Sequence, residues 1–287
     1  MDEQTIGAFW NAHPCGNDQV GGLDKTSRES YERFFTEYDE FKYQVEDHIP
    51  SCLDHLGVAD KHVLEIGLGE GAEAEQLIRR GARWSGVDLT RESVDRVRTR
   101  LELRELPFED LRQASVLDMP FDDNSFDLVF SHGVLHHVPE IQRAQSEIHR
   151  VLRPDGELVV MMYARWSLNY LLAIGVVRRA ALIGAYPFMR NRSQSSDGML
   201  AAHVRNAQRI GLGRYLRMDE FVHANTDGPL NPYARVYDVG RLRRDFPSFR
   251  VTKTYKRFMH APPLPVHGLP GGSVLGWHLW AHLRPIG

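Results

Sequence analysis

The 287-residue chain has little cysteine, no basic excess and no leader-like start. Its two cysteines, Cys15 and Cys52, fit a reducing cytoplasm. The first residues combine neither the basic charges nor the apolar run of a signal peptide, and we therefore expect a cytoplasmic protein. The net charge of −3 does not favour binding to the phosphate backbone of a nucleic acid, because that binding relies on clustered lysine and arginine. Nucleic acid is not expected as a partner.

The chain also lacks a long apolar run without charges. Its most apolar stretch, Leu168 to Met189, is long enough to cross a bilayer, but Arg178 and Arg179 lie at its middle, where each charge is costly. We expect a buried or substrate-covering helix and no stable membrane insertion. Interfacial contact with a membrane, serving a lipid-like substrate, is the alternative that this stretch leaves open.

No repeat of fixed period is present, which argues against solenoids and propellers. The composition, with 42% hydrophobic and 25% charged residues, is that of an ordinary globular protein. From His62 onward, short β-rich runs alternate with helical patterns, and this alternation predicts a parallel sheet with helices on both faces. The predicted strands are His62 to Ile66, Trp84 to Asp88, Ser115 to Leu117, Phe126 to Ser131 and Glu157 to Tyr163.

Two further strands are predicted near the C-terminus, Phe249 to Phe258 and Trp277 to Leu283. The Pro/Gly-rich connection between them has too little helix signal for a parallel crossover, so we expect an antiparallel pair at one edge of the sheet. The chain is therefore divided into an N-terminal helical cap (1–56), a ligand-binding core (57–163), a substrate-covering insertion (164–236) and a C-terminal helix with the antiparallel strands (237–287).

An aromatic-faced helix is predicted within the N-terminal cap. Thr26 and Glu29 form a capping-box pattern, and aromatic residues then recur at helical spacing until Pro50 interrupts them. This helix must pack against another part of the fold.

The most informative segment is Val63 to Gly71, an apolar strand that runs into glycines and then a helix. Glycines let a ligand approach the backbone closely, and helix N-terminal amides face that ligand. Gly67, Gly69 and Ala72 also fit the spacing of a dinucleotide fingerprint, and Asp88 follows at about the distance which that pattern requires for a ribose contact. A nicotinamide-dependent oxidoreductase is therefore one alternative.

Three acidic residues stand at successive strand ends. Glu65 precedes the first glycine by two residues, Asp88 ends the second predicted strand, and Asp118 follows the third. The carboxyl ends of parallel strands meet at one edge of a sheet, where open α/β folds bind ligands. The three acids are therefore expected to line one site.

Two further segments complete the pattern, Phe126 to Val138 and Ile148 to Val160. With these motifs, which span roughly Val63 to Tyr163, the chain resembles the class I S-adenosylmethionine-dependent methyltransferases, particularly the small-molecule group that includes the ubiquinone and menaquinone biosynthesis enzymes. The resemblance implies a doubly wound, Rossmann-like α/β fold of seven mostly parallel strands, the last one antiparallel. It also implies S-adenosylmethionine as the cofactor and in-line transfer of its methyl group to a small molecule, without choosing between O-, N-, C- and S-methylation.

The resemblance also implies roles for individual residues. The loop from Glu65 to Gly71 would hold the methionine part of the cofactor, Asp88 the ribose hydroxyls and Asp118 the adenine amine. A helix of relatives often covers the cofactor, which makes Tyr38 a candidate ligand of the methionyl carboxylate, although the aromatic spacing fits a packed helix face equally well. The expected cofactor-binding residues are Tyr38, Glu65, Gly67, Gly69, Gly71, Asp88, Leu89, Leu117, Asp118, Met119, Ser131 and Gly133.

Two histidines after the fourth predicted strand are candidates for a general base. His136 and His137 lie beside the expected methyl position, and an imidazole suits proton removal at neutral pH. His137 matches a histidine common in the family pattern, whereas His136 occupies a more variable position that contributes to chemistry in some relatives, so we slightly favour His136. An imidazole that packs against the next helix or caps it is the alternative.

The insertion is expected to form much of the acceptor pocket, because segments beside the strand ends set specificity on such scaffolds. The 14 histidines show no zinc-like spacing with a third ligand, so no metal is expected. A non-catalytic protein that binds S-adenosylmethionine is the second alternative, and the oligomeric state stays open. The expected acceptor-binding residues are His203, His223, Asn231, Tyr233 and Arg235.

Overall fold

Seven strands form one sheet in the computed structural model, which describes residues 2–14, 23, 27–191 and 198–286. Inner strands are rich in buried Val, Leu, Ile and Phe, as expected where both faces of a sheet are covered. The strands are β1 (His62–Ile66), β2 (Arg83–Asp88), β3 (Asp110–Gln113), β4 (Phe126–His132), β5 (Leu152–Tyr163), β6 (Phe249–Arg257) and β7 (His278–Pro285).

The strand order across the sheet is β3-β2-β1-β4-β5-β7-β6. Strands β1 to β5 pair in parallel, whereas β7 runs antiparallel to both β5 and β6. The predicted doubly wound, mostly parallel sheet with an antiparallel pair at one edge is therefore confirmed. The strand order reverses between β1 and β4, and a crevice opens at the carboxyl ends of strands at such a point.

The third strand lies at Asp110–Gln113, and its prediction at Ser115 to Leu117 is wrong. The predicted residues enter a tight turn, in which the Asp118 N–H donates to the Ser115 carbonyl over 3.1 Å. Because β3 lies at the sheet edge, Leu111 is its single buried residue. Its polar sequence therefore lacks the apolar run that marks the inner strands.

The sequence Arg153 to Gly156, with its proline and glycine, lies inside β5 as a bulge. Phe126 of β4 pairs with Leu152, but Leu128 pairs with Glu157, so the intervening residues of β5 are extra. The other predicted strands are found with ends that differ by one or two residues.

Helices cover both faces of the sheet. Two short 3₁₀ helices, Leu135–His137 and His223–Asn225, and a π-helix, Asn169–Arg178, complete the secondary structure of the described residues. The α-helices are α1 (Glu3–Ala12), α2 (Arg28–Val45), α3 (His48–Asp54), α4 (Ala72–Arg79), α5 (Arg91–Leu103), α6 (Ile141–Val151), α7 (Arg179–Met189), α8 (Met199–Ile210), α9 (Leu212–Tyr215), α10 (Met218–Phe221), α11 (Val239–Asp245) and α12 (Gly272–Leu275).

The predicted aromatic helix is α2. Ser27 caps it by accepting a hydrogen bond from the Ser30 N–H, while the predicted cap Thr26 lies outside the described residues. Pro50 does not end this helix, which stops at Val45, but lies in the first turn of α3, where its missing N–H costs nothing. Buried Phe34, Phe35 and Tyr38 form the packed face of α2.

Residues 164–236 contain a small core of their own beside the ends of β4 and β5. Ile174, Leu182 and Val204 are among its buried side chains. The segment returns to the sheet at its far end, where the Tyr237 N–H donates to the carbonyl of Tyr163 over 2.7 Å. This return brings the end of the insertion against the cavity described below.

Candidate active site

A cavity lies at the carboxyl ends of β1, β2 and β4, at the predicted edge of the sheet. Its floor is the loop after β1, and its walls include helices α1 and α2 and part of the insertion. Apolar and charged side chains are therefore mixed in its lining.

Two glycines shape the backbone beneath this cavity. Gly67 has a φ of 78°, and a Cβ there would lie 2.2 Å from Cγ2 of Val134. Gly69 has a φ of 50°, and its Cβ would meet no atom within 4 Å. A side chain is therefore excluded at Gly67 by packing, while the backbone of Gly69 faces open space into which a ligand fits.

Asp88 is held rigidly at the end of β2. Its Oδ2 accepts a hydrogen bond from the Leu68 N–H, and its Oδ1 accepts from the N–H and the hydroxyl of Thr90, all at 2.8 Å. Burial raises the pKa of Asp88 above its ordinary value. A carboxylate has about four lone-pair positions, so Asp88 keeps acceptor capacity for one further hydrogen bond, from a ligand hydroxyl.

At the other end of the cavity, His137 faces a carboxylate from the insertion. Its Nδ1 lies 2.6 Å from the carbonyl oxygen of Tyr233, and its Nε2 lies 3.3 Å from Oδ2 of Asp227. A carbonyl only accepts, so Nδ1 carries a proton. The Trp10 ring packs edge-on against the imidazole at a centroid distance of 5.0 Å.

Asp227 is itself fixed by neighbours. The Tyr163 hydroxyl donates to its Oδ1 over 2.6 Å, and the Asn231 side-chain amide donates to its Oδ2 over 3.3 Å. Burial raises the pKa of Asp227, but the neighbouring His137 and the Tyr163 hydroxyl lower it by more, so the pKa lies below its usual value. The group is a carboxylate at neutral pH.

Comparison with known proteins shows to which family this chain belongs. Residues 64–160 match a family described as a methyltransferase domain. The chain is 33% identical over 140 residues to the phosphatidylethanolamine N-methyltransferase of Cereibacter sphaeroides, an alignment that covers 48% of this chain and 68% of that one. This chain belongs to the class I S-adenosylmethionine-dependent methyltransferases.

Two further matches agree with this family. The methyltransferase is 37% identical over 108 residues to the fatty-acid O-methyltransferase of Mycolicibacterium smegmatis, covering 37% of this chain and 38% of that one. The geranyl diphosphate C-methyltransferase from Streptomyces coelicolor A3(2) has the same fold, with a TM-score of 0.54, 16% identity and coverage of 99% and 98% of the two chains. Membership decides against the nicotinamide-dependent oxidoreductase and the non-catalytic binding protein.

The cavity of the methyltransferase fits S-adenosylmethionine, the cofactor of its family. Asp88 has acceptor capacity for a ribose hydroxyl, and the open space at Gly69 admits a ligand against the backbone. Glu65 is buried in the lining, where its carboxylate accepts a hydrogen bond from the Trp84 indole over 2.8 Å. Seven of the predicted cofactor residues line this cavity: Tyr38, Glu65, Gly67, Gly69, Asp88, Leu89 and Gly133.

The other five predicted cofactor residues lie outside the cavity lining. Ser131 is fully buried, and its hydroxyl donates to the Ile66 carbonyl, which joins β4 to β1. Leu117 and Met119 pack in the core, and Gly71 precedes α4 in a left-handed conformation. Asp118 is exposed at its turn, so the cavity end beside β3 is lined by Val116, Ala114 and Glu3, whose carboxylate accepts a hydrogen bond from the Ser115 hydroxyl.

Of the two predicted bases, the methyltransferase places only His137 in the cavity lining. His136 is fully buried between the rings of His137 and Tyr163, at centroid distances of 4.2 and 4.0 Å. Burial lowers its pKa well below the ordinary value, so this imidazole is neutral. The geometry thus favours His137, against the slight sequence-based preference for His136.

None of the predicted acceptor-binding residues lines the cavity. Tyr233 and Asn231 instead support His137 and Asp227, through the contacts given above. The Arg235 N–H donates to the His136 carbonyl over 2.9 Å. The His223 ring is hydrogen-bonded to the carbonyl of Ala234, and the His203 ring is hydrogen-bonded to the Tyr215 hydroxyl. These residues hold the end of the insertion in place.

The sequence analysis missed several lining residues, among them Trp10, Tyr163 and Asp227. It also missed Lys42 and Glu46, which follow Tyr38 at intervals of four residues along α2, a spacing that places all three on one helix face. That spacing is a signal which sequence reasoning could have used. Lys42 pairs with Glu73 over 2.7 Å, so this part of the lining is charged.

Proposed function

We propose that this methyltransferase methylates an oxygen or nitrogen atom of an amphipathic small molecule, with His137 as the general base. The proposal is carried by one observation, the place of His137 in the cavity lining with its Nε2 lying 3.3 Å from the carboxylate of Asp227. Because Nδ1 donates to the Tyr233 carbonyl, the neutral ring leaves Nε2 without a proton. Nε2 is therefore the atom that accepts one.

Asp227 completes this base. As a hydroxyl or amine forms its new bond to carbon, it loses a proton, and Nε2 of His137 takes it. The resulting imidazolium then forms an ion pair with the carboxylate of Asp227, which Tyr163 and Asn231 already hold in position. A nearby opposite charge favours the protonated imidazole and so assists the proton transfer.

The remaining contribution of the chain is positioning. When bound, S-adenosylmethionine supplies a methyl group on a sulfonium centre, and in-line displacement requires no covalent enzyme intermediate. Asp88 would hold the ribose, and the backbone at Gly67 and Gly69 would lie against the methionyl part. Helix α1 brings Trp10 over the cavity beside His137, where it keeps water from the proton-transfer site.

An amphipathic acceptor is supported by the mixed cavity lining. Ile6, Trp10, Val138 and Met161 provide apolar wall around the His137 and Asp227 pair. Two relatives carry lipids in their names, the phosphatidylethanolamine and fatty-acid methyltransferases. A molecule with an apolar body and one ionisable head group suits such a lining.

The test uses paired acceptors and a radiolabelled methyl donor. Each amphipathic compound is matched to its polar fragment: a long-chain fatty acid to acetate, phosphatidylethanolamine to ethanolamine, and an alkylated catechol to catechol. We expect label in at least one amphipathic member and at least about tenfold less in its fragment, because the apolar body contributes binding energy. Transfer to polar fragments alone, or to a carbon atom, would contradict the proposal.

A further inference from the structure

The helical run Asn169–Met189 presents an apolar face to solvent. By length and composition it is the one helix in the described part of the chain that could cross a membrane, yet only 17% of its apolar window is buried. Exposed Leu172, Val176, Ile183 and Pro187 recur at helical spacing and form an apolar stripe on one side of the helix. A helix of a soluble core would bury such a stripe.

Exposed apolar side chains continue beyond the stripe. Trp166, just before the helix, is 56% exposed, and Phe188 near its end is 79% exposed. The Lys256 amino group donates to the carbonyls of Trp166 and Val274, which brings the exposed Val274 side chain close to the same end of the helix. Phe188 is five residues after Ile183 and therefore projects from another side of the helix. We call Trp166, Leu172, Val176, Ile183 and Val274 the apolar face.

The segment that carries this face is strongly cationic. Residues 164–236 contain ten arginines, no lysine and four acidic residues, a net charge of +6 in a chain whose total is −3. Asp219 pairs with Arg217 and Glu220 pairs with Arg214, so eight arginines and two acidic residues of the segment remain outside these two pairs. Positive charge is therefore concentrated on the part of the molecule that exposes apolar surface.

Some of these arginines flank the apolar face directly. Arg179 lies four residues before Ile183 and Arg190 seven residues after it, so both lie on the same side of the helix as the stripe. Among the residues that the structure describes, neither has an acidic partner, and the exposed Arg209 of the neighbouring α8 has none either. Arg178 is turned away, donating to the carbonyls of Pro262 and Asn225.

We infer that the apolar face and its flanking arginines dock this methyltransferase on an anionic lipid membrane. Apolar side chains at the boundary of head groups and acyl chains, with arginines beside them, are the arrangement of an interfacial helix. The half-buried, hydrogen-bonded Arg178 opposes a spanning orientation. Two copies that met through this face would bring like charges together, which disfavours a second chain as the occupant.

This inference concerns where the protein works and does not depend on which molecule it methylates. The Tyr163 side chain, which lines the cavity, lies three residues before Trp166. The apolar face thus begins, in sequence, three residues after a residue that lines the acceptor end of the cavity. An amphipathic acceptor held in the membrane would reach the cavity from that side.

Vesicle flotation of the purified full chain, without donor or acceptor, tests the inference. The probes are phosphatidylcholine vesicles with and without phosphatidylglycerol. We expect binding to the anionic vesicles that is at least about tenfold tighter than to neutral ones and that weakens as salt is raised. Equal binding to both vesicles, or binding to neither, overturns the inference.

Two matched variants locate the contact. Ile183 and Ile286 are each 52% exposed, but only Ile183 belongs to the apolar face. Ile183→Asp should weaken binding to anionic vesicles about tenfold, while Ile286→Asp should leave it within twofold, since both changes add the same charge. Calorimetry of S-adenosylmethionine binding checks that both variants are folded.

Two further outcomes are decisive. If the two variants lose vesicle binding equally, net charge alone governs it and the inference fails. If the chain ignores vesicles but forms dimers that Ile183→Asp dissociates in light scattering, the apolar face joins two copies and the inference is wrong. In either case the paired-acceptor assay still tests the proposed function independently, because that assay uses acceptors dispersed in detergent and contains no vesicles.

Discussion

The Nε2 atom of His137 lies 3.3 Å from Oδ2 of Asp227, although ninety residues separate the two in sequence. The pair forms because the chain returns to the sheet after the insertion, where Tyr233, Arg235 and Tyr237 each bond through the backbone to residues near the cavity. One nitrogen of His137 is thus hydrogen-bonded to the backbone, and the other lies beside a carboxylate. This relationship underlies the proposed proton transfer.

Tyr163→Phe tests whether Asp227 must be held in place. The change removes the hydroxyl that donates to Oδ1 of Asp227 over 2.6 Å but keeps the ring. We expect kcat to fall about tenfold, the equivalent of one hydrogen bond to a charged group, with unchanged affinity for S-adenosylmethionine. Tyr215→Phe is the control, because its hydroxyl bonds to His203 within the insertion core, and it should lower Tm without lowering kcat.

Asp88→Ala tests the cofactor end of the cavity. Loss of the carboxylate should weaken S-adenosylmethionine binding about tenfold or more, measured by calorimetry. Asp118→Ala is the informative comparison, because the exposed Asp118 lies outside the cavity lining and its removal should change the affinity less than twofold. Equal losses in the two variants would show that the adenine end differs from this description.

Glu46→Gln tests the electrostatics of the charged cavity wall. Burial raises the pKa of Glu46 from 4.5 to about 7, although Lys42 opposes the shift. The folded state thus favours the protonated acid, so ionisation costs stability as pH rises from 4.5 through about 7. The variant should match wild type near pH 4.5 and exceed its Tm increasingly up to about pH 7. Glu40→Gln, an exposed site on the same helix, should show no such trend, and a pH-independent Tm difference for Glu46→Gln would contradict the assignment.

Much of the fold was predictable because inner strands carry an apolar run that is independent of their neighbours. The run Val63 to Ile66 and the run Leu128 to Phe130 are buried on both faces and were predicted at their observed places. β3 was misplaced because an edge strand buries only Leu111, while the adjacent turn buries Val116 and Leu117. A hydrophobic pattern indicates which residues are buried, and here the buried residues of the turn are not the residues of the strand.

The two ends of the cavity also differ in how far the sequence alone could predict them. The glycine loop and Asp88 were predictable because one local stretch of sequence builds them and the strands carry them to a common edge. Asp227 was not predictable, because its role arises from the return of a remote segment and no spacing pattern links it to His137. Asn231 and Tyr233 drew attention as polar residues of that segment, but the structure uses them to hold the pair in place.

The most direct test of the account is the pH–rate profile of methyl transfer in wild type, His137→Gln and His136→Gln, measured with an acceptor found in the paired assay. If His137 is the base, His137→Gln should lower kcat by about 10²–10⁴, keep its affinity for S-adenosylmethionine and lose the acidic limb of the profile. His136→Gln should keep that limb, because its ring does not reach the cavity. An acidic limb that persists in His137→Gln and disappears in His136→Gln would contradict the account.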